Sequence, residues 1–114
     1  MEVREVSGVA EPGRLVLEVT GEVDLANCAQ LESAVVAALG AAEPPGALVL
    51  DLAEVSFLDS SGLRVLLTGA GAARTGGVDF SVIPSAVVSR VFELAGIGPD
   101  TLRVEEPGQA RSGG

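Results

Sequence analysis

Histidine, lysine, tryptophan and tyrosine are all missing from this 114-residue sequence, and cysteine occurs once. Those gaps remove whole classes of chemistry. Without histidine, no Ser–His pair can activate a nucleophile, and an ordinary zinc site loses a principal ligand. Without lysine there is no P-loop lysine for nucleotide phosphates and no amine for a Schiff base. The lone Cys28 has no second cysteine in the chain to pair with. No lysine or histidine is available to lower its pKa, so it is not expected to be a reactive thiol. The only aromatics are Phe57, Phe80 and Phe92, which leaves the core to valine, leucine and alanine. Basic charge is also scarce: seven residues, all arginine, stand against sixteen acidic ones, for a net charge of −9. Binding to nucleic acid or anionic lipid is disfavoured by that balance. No apolar run approaches the ~18 residues of a membrane span. The opening MEVREVSG lacks the charged-then-apolar order of a signal peptide. The expectation is a soluble cytoplasmic protein that is not an enzyme and has no cofactor or metal. A partner-binding module needs none of the missing residues.

What is present is a sequence that is 47% hydrophobic, enough for one domain with a real core. Val3 to Val9 alternates weakly, Pro12-Gly13 marks a turn, and Leu15, Leu17 and Val19 alternate with Val16, Glu18 and Thr20. That pattern predicts an antiparallel hairpin. Gly21 to Asp24 reads as a loop, and Asp24 or Asn27 as the cap of a helix whose apolar face is Leu31, Val35, Ala38 and Leu39. Gly40 and the run Glu43-Pro44-Pro45-Gly46 end it. After the central segment, Val78, Phe80 and Val82 alternate as another strand. Pro84-Ser85 opens a third helix with Val88, Val91, Phe92 and Ala95 on one face, and Thr101 to Val104 suggests a short last strand. The order β-β-α-β-α-β-α predicts an α/β fold. Its sheet is mixed, of four to five strands, with an N-terminal antiparallel hairpin and three to four helices lying mainly on one face. Residues 1–104 form the domain, and 105–114 are expected to be a flexible tail.

The central segment is Ala47 to Leu67, ALVLDLAEVSFLDSSGLRVLL. An apolar strand ends near Leu52, and a short turn is expected before Ser56-Phe57-Leu58. Beyond Asp59-Ser60-Ser61-Gly62, Leu63, Leu66, Leu67 and Ala70 fall at helical spacing. Asp59 or Ser60 caps that helix in the simplest reading. The same helix N-terminus also favours a phosphate. A nucleophile elbow would place glycine two residues before the serine, where Leu58 stands instead. What remains is a serine for something else to modify. Arg64, one turn into the helix, is a candidate partner contact, whereas Leu63 and Leu66 belong to the core.

Together these segments resemble a STAS domain of the anti-sigma factor antagonist family, which includes sporulation and general-stress regulators. Thr20-Gly21-Glu22-Val23-Asp24 with Leu31, Leu50-Asp51-Leu52 through Leu58, Asp59-Ser60-Ser61-Gly62-Leu63, and Val88 to Ile97 carry the resemblance. It implies the STAS fold and a partner, an anti-sigma factor that is also a serine kinase and binds the ATP itself. Binding that partner releases a sigma factor. The resemblance also implies that the kinase phosphorylates Ser60 and thereby ends binding, and that a phosphatase reverses it. Asp24, Asp59, Ser60, Ser61, Gly62 and Arg64 would form the partner-binding surface of a monomer or weak dimer. Two other settings of STAS domains stay open: the subunit of a lipid-transport ABC system, and a stressosome-type scaffold.

Overall fold

The alternation at Leu15 to Thr20 becomes strand β2 (Arg14–Val23), with Leu17 and Val19 buried and Thr20 exposed. The molecule is known from a computed structural model, which describes residues 1–7 and 13–105. Strand β1 (Glu2–Ser7) pairs antiparallel with β2. Val9, the expected end of the first strand, and Pro12 of the expected Pro12-Gly13 turn lie outside the described residues. Helix α1 (Cys28–Leu39), β3 (Ala47–Leu58), α2 (Ser60–Thr75), β4 (Asp79–Pro84), α3 (Ala86–Ala95) and β5 (Arg103–Val104) follow. The sheet order is β1-β2-β3-β4-β5, and the pairings from β2 to β5 are all parallel. Every strand thus lies beside its neighbour in sequence.

Helices α1, α2 and α3 deliver Leu31, Val35, Val65, Leu66, Val88 and Phe92 into one core with Leu17, Leu48, Leu50, Phe80 and Val82 of the sheet. That places the helices over one face, as three successive right-handed crossovers in one direction require. Strand β3 is central and buries Leu48 through Leu52 without a gap, so both of its faces are covered. Gly96 ends α3 in the left-handed region (φ 71°), where a residue with a Cβ is strained, and its N–H bonds back to the last turn.

Three expectations are corrected. Gly21 to Val23 is strand, not loop, because β2 stays paired with β3 as far as Val23–Leu58. No turn interrupts β3. The ladder instead shifts register between Glu18 and Thr20 and between Gly21 and Glu22, which puts the extra residues on β3. Asp51 Oδ1 accepts the N–H of Ala53 (3.1 Å) at the first shift. The third concerns Glu105, expected to begin a frayed tail. Its N–H donates to the Val82 carbonyl (2.9 Å), its Oε1 accepts from Arg14 Nη2 (2.8 Å), and its Oε2 accepts from the Ser81 hydroxyl. Burial pushes the Glu105 carboxyl up, but those two bonds and the charges of Arg14 and Arg103 outweigh it and hold the pKa below the ordinary value. Residues 106–114 lie outside the described residues.

Candidate functional site

Strands β2 and β3 end side by side, so Asp24 and Asp59 begin two loops at the same end of the sheet. The Asp59 N–H donates to the Val23 carbonyl (3.2 Å), which fixes the start of the second loop against the first. Asp59 then turns its side chain onto the helix. Its Oδ1 accepts the N–H groups of Ser61 (2.9 Å) and Gly62 (3.1 Å), from an extended backbone (φ −101°, ψ −175°). This is the N-cap of α2, and it settles which of Asp59 and Ser60 does the capping. Ser60 is left as the first helical residue, exposed, with its hydroxyl in no hydrogen bond among the described residues.

The other loop is pinned from within. The Asp24 N–H donates to Asn27 Oδ1 (3.0 Å), and Asn27 Nδ2 donates to the Glu22 carbonyl (2.9 Å). Asn27 therefore occupies the N-cap position of α1 without a side-chain cap bond, its amide being used across the loop. Asp24 Oδ1 accepts the Ala26 N–H (3.0 Å), and the Asp24 carbonyl accepts from Asn27 (3.1 Å) and Cys28 (2.8 Å). One bond joins the two loops through a side chain: the Leu25 N–H donates to Asp59 Oδ2 (3.3 Å). The Asp59 carboxylate thus holds the helix start with one oxygen and the neighbouring loop with the other.

The remaining predicted residues separate by burial. Ser61 is half-buried and Arg64 is exposed, with no ion pair among the described residues. Gly62 is buried, so its surface contribution is indirect. A Cβ there would come within 2.5 Å of Leu58 Cδ1 and 2.8 Å of Val23 Cγ1. Glycine lets the α2 N-terminus seat directly on the ends of both strands. Two residues outside the expected set stand at this end of the sheet: Leu25, 76% exposed, and Phe57, 45% exposed. The sequence signal for Leu25 was a lone leucine set among Asp24, Ala26 and Asn27, in a stretch without helical or strand period.

The arrangement presents a free hydroxyl to solvent at the positive end of a helix, beside carboxylates that are already engaged. Among the described residues, no group of three or more acidic or cysteine side chains is placed to hold a metal. A groove of about 710 Å³ runs along α1 past Val3, Leu15, Ala34 and Ala38 and contains none of the predicted site residues. No helix among the described residues is long and apolar enough to cross a membrane.

Known proteins share the sequence pattern and the fold of this chain. The sequence pattern of the family described as "Mlab, STAS domain" matches residues 7–103. The anti-sigma-F factor antagonist RsfB of Mycobacterium tuberculosis is 40% identical over 79 residues, which cover 68% of this chain and 62% of that protein. The match therefore spans less than two thirds of the curated relative's length. An anti-sigma factor antagonist from Mycobacterium paratuberculosis superposes with a TM-score of 0.75 at 28% identity, covering 93% of this chain and 85% of that one. The Bacillus cell fate determinant SpoIIAA in its phosphorylated form gives a TM-score of 0.70 at 20% identity, covering 97% of each chain, and shows the shared fold.

Proposed function

The chain belongs to the STAS domain family, and from that premise we propose that it is an anti-sigma factor antagonist switched by phosphorylation of Ser60. The observation that carries this reading is the division of labour at the α2 N-terminus. Asp59 satisfies the free helix N–H groups, so the Ser60 hydroxyl has no structural duty and faces solvent. A serine placed that way can be modified without unfolding the helix. The antagonists of M. tuberculosis and M. paratuberculosis supply the partner class, an anti-sigma factor. That partner is a serine kinase that binds ATP itself. In its unmodified form the chain binds the kinase through Asp24, Asp59, Ser60, Ser61 and Arg64, and a sigma factor is released. A phosphatase resets the modified form. All of this takes place in the cytoplasm, with the chain a monomer or weak dimer.

The switch is large enough to work. A phosphate adds about −1.5 to −2 charges at neutral pH, next to Asp59 and the loop of Asp24. Pressing that charge against a surface without a matching cation would cost about 4 kcal/mol, roughly a thousandfold in affinity. The test uses wild type, Ser60→Ala and Ser60→Asp as baits in lysate of the native host, with retained proteins identified by mass spectrometry. An ATP-binding kinase held by the first two and lost from the third is the expected result. A transporter ATPase or a scaffold of paralogous domains held equally by all three would overturn the reading.

A further inference from the structure

The bond between the two loops gives the switch a second output. Leu25 is the most exposed large apolar residue described, at 76%, yet its backbone sits in a hydrogen-bonded loop. The flanking bonds of Asp24, Ala26 and Asn27 fix the loop, and the Leu25 N–H is fixed by Asp59 Oδ2. A leucine side chain left in water gains nothing for the free protein, but on a loop tied down by these bonds it is partly preorganised for a pocket on a partner, where some of the ordering cost is already met. We propose that Leu25 is the apolar anchor of the partner interface, and that Asp59 relays the charge state of Ser60 to it. The proposal rests on the antagonist reading for the identity of the partner, but the relay is a property of this chain alone.

The relay follows from the geometry of one carboxylate. Asp59 Oδ1 accepts from Ser61 and Gly62, the N–H donors that a phosphate on Ser60 would compete for. The phosphate also repels the carboxylate beside it. Either effect displaces Asp59, and its Oδ2 then leaves the Leu25 N–H, the longest of the bonds holding the two loops. The loop loosens and the anchor loses its fixed position. Phosphorylation accordingly acts twice: by placing charge in the interface, and by removing the preorganisation of an apolar contact next to it.

Two measurements test this. In the first, amide hydrogen exchange of ¹⁵N-labelled protein is read at Leu25 for wild type, Ser60→Glu, Asp59→Asn and, as a remote-charge control, Thr75→Glu. Exchange at Leu25 is expected to quicken severalfold in Ser60→Glu and Asp59→Asn while Thr75→Glu matches wild type. Unchanged exchange in Ser60→Glu, or equal acceleration in the control, overturns the relay. In the second, the affinity of the ATP-binding protein retained by wild type is measured against Leu25→Ala. A loss of about ten- to a hundredfold, the value of burying one leucine, is expected, with thermal stability unchanged because the side chain is exposed. Wild-type affinity in Leu25→Ala, with binding still abolished by Ser60→Asp, overturns the anchor and leaves the antagonist reading standing. If wild type retains no such protein, the antagonist reading fails and the anchor with it, while the exchange data still decide the relay.

Discussion

At the scale of single residues, the site depends on one carboxylate and one missing side chain. Asp59 was legible as a cap candidate from its place between a strand and a helical period, but its second bond was not, because no local pattern says that Leu25 will lie beside it. Gly62 was legible only as part of a motif. Its physical reason is long-range: Val23 and Leu58, thirty-five positions apart, converge on its missing Cβ. Both neighbours are buried, so they have little room to yield. Gly62→Ala is therefore expected to destabilise the fold by about 1–3 kcal/mol, the usual cost of overpacking, despite the better helix propensity of alanine. Chemical denaturation would show it as a lower midpoint with an unchanged slope. A midpoint at or above wild type would mean that α2 can shift outward freely, and the close seating would lose its importance.

Elements were easier to read than their limits. The three helices and the strands β2 to β4 stand where the hydrophobic periods put them, because each buries a stripe or a face against the same core. The error in β3 has a physical origin. Asp51, Ala53 and Glu54 break the apolar run and look like a turn, yet Asp51 uses its side chain to satisfy the Ala53 N–H, and the strand continues through a bulge. A single sequence does not separate those outcomes, since the same side-chain-to-backbone bond starts turns as well. Caps show the converse. Ser85, placed at the opening of α3 by Pro84-Ser85, accepts the Val88 N–H (3.1 Å), while Asn27 gives up that role to bridge its loop. Ser85→Ala should thus cost about 1 kcal/mol. Asn27→Ala should instead loosen the Asp24–Asn27 loop, read as faster amide exchange at Asp24, which loses its acceptor. Slow exchange at Asp24 in that variant would show that the backbone bonds alone hold the loop.

For the whole molecule, the informative group is Glu105, which the sequence assigned to a tail and the fold places on Ser81 and Arg14. Arg14 begins β2 and Glu105 follows β5, so nothing near either residue announces the pair. Because burial is outweighed by its bonds and by arginine charge, the folded carboxyl titrates below its ordinary value of 4.5. Above pH 4.5 the carboxylate is ionised in both states and its stabilisation is complete. As pH falls below 4.5 the unfolded chain takes up the proton first, so that stabilisation is lost until the folded carboxyl is protonated too. Glu105→Gln should lower stability at neutral pH and flatten its pH dependence below 4.5 in denaturation at a series of pH values. Parallel curves for the two proteins would show that the carboxylate contributes no linkage.

The sequential strand order gives that same pair a place in time. Contacts within β1–β2 and each strand–helix–strand unit are local, whereas Arg14 and Glu105 are 91 residues apart and meet only across strands already assembled. Their contact is thus expected to form late on the folding path, after the transition state. Contacts of that kind set how slowly a native protein comes apart, not how quickly it forms. Breaking the pair with Arg14→Gln should steepen neither arm of a chevron plot but raise the unfolding arm alone. The tie between the start of β2 and the residue that follows β5 then acts as a kinetic lock, holding the two ends of the sheet's assembly order together once it has formed.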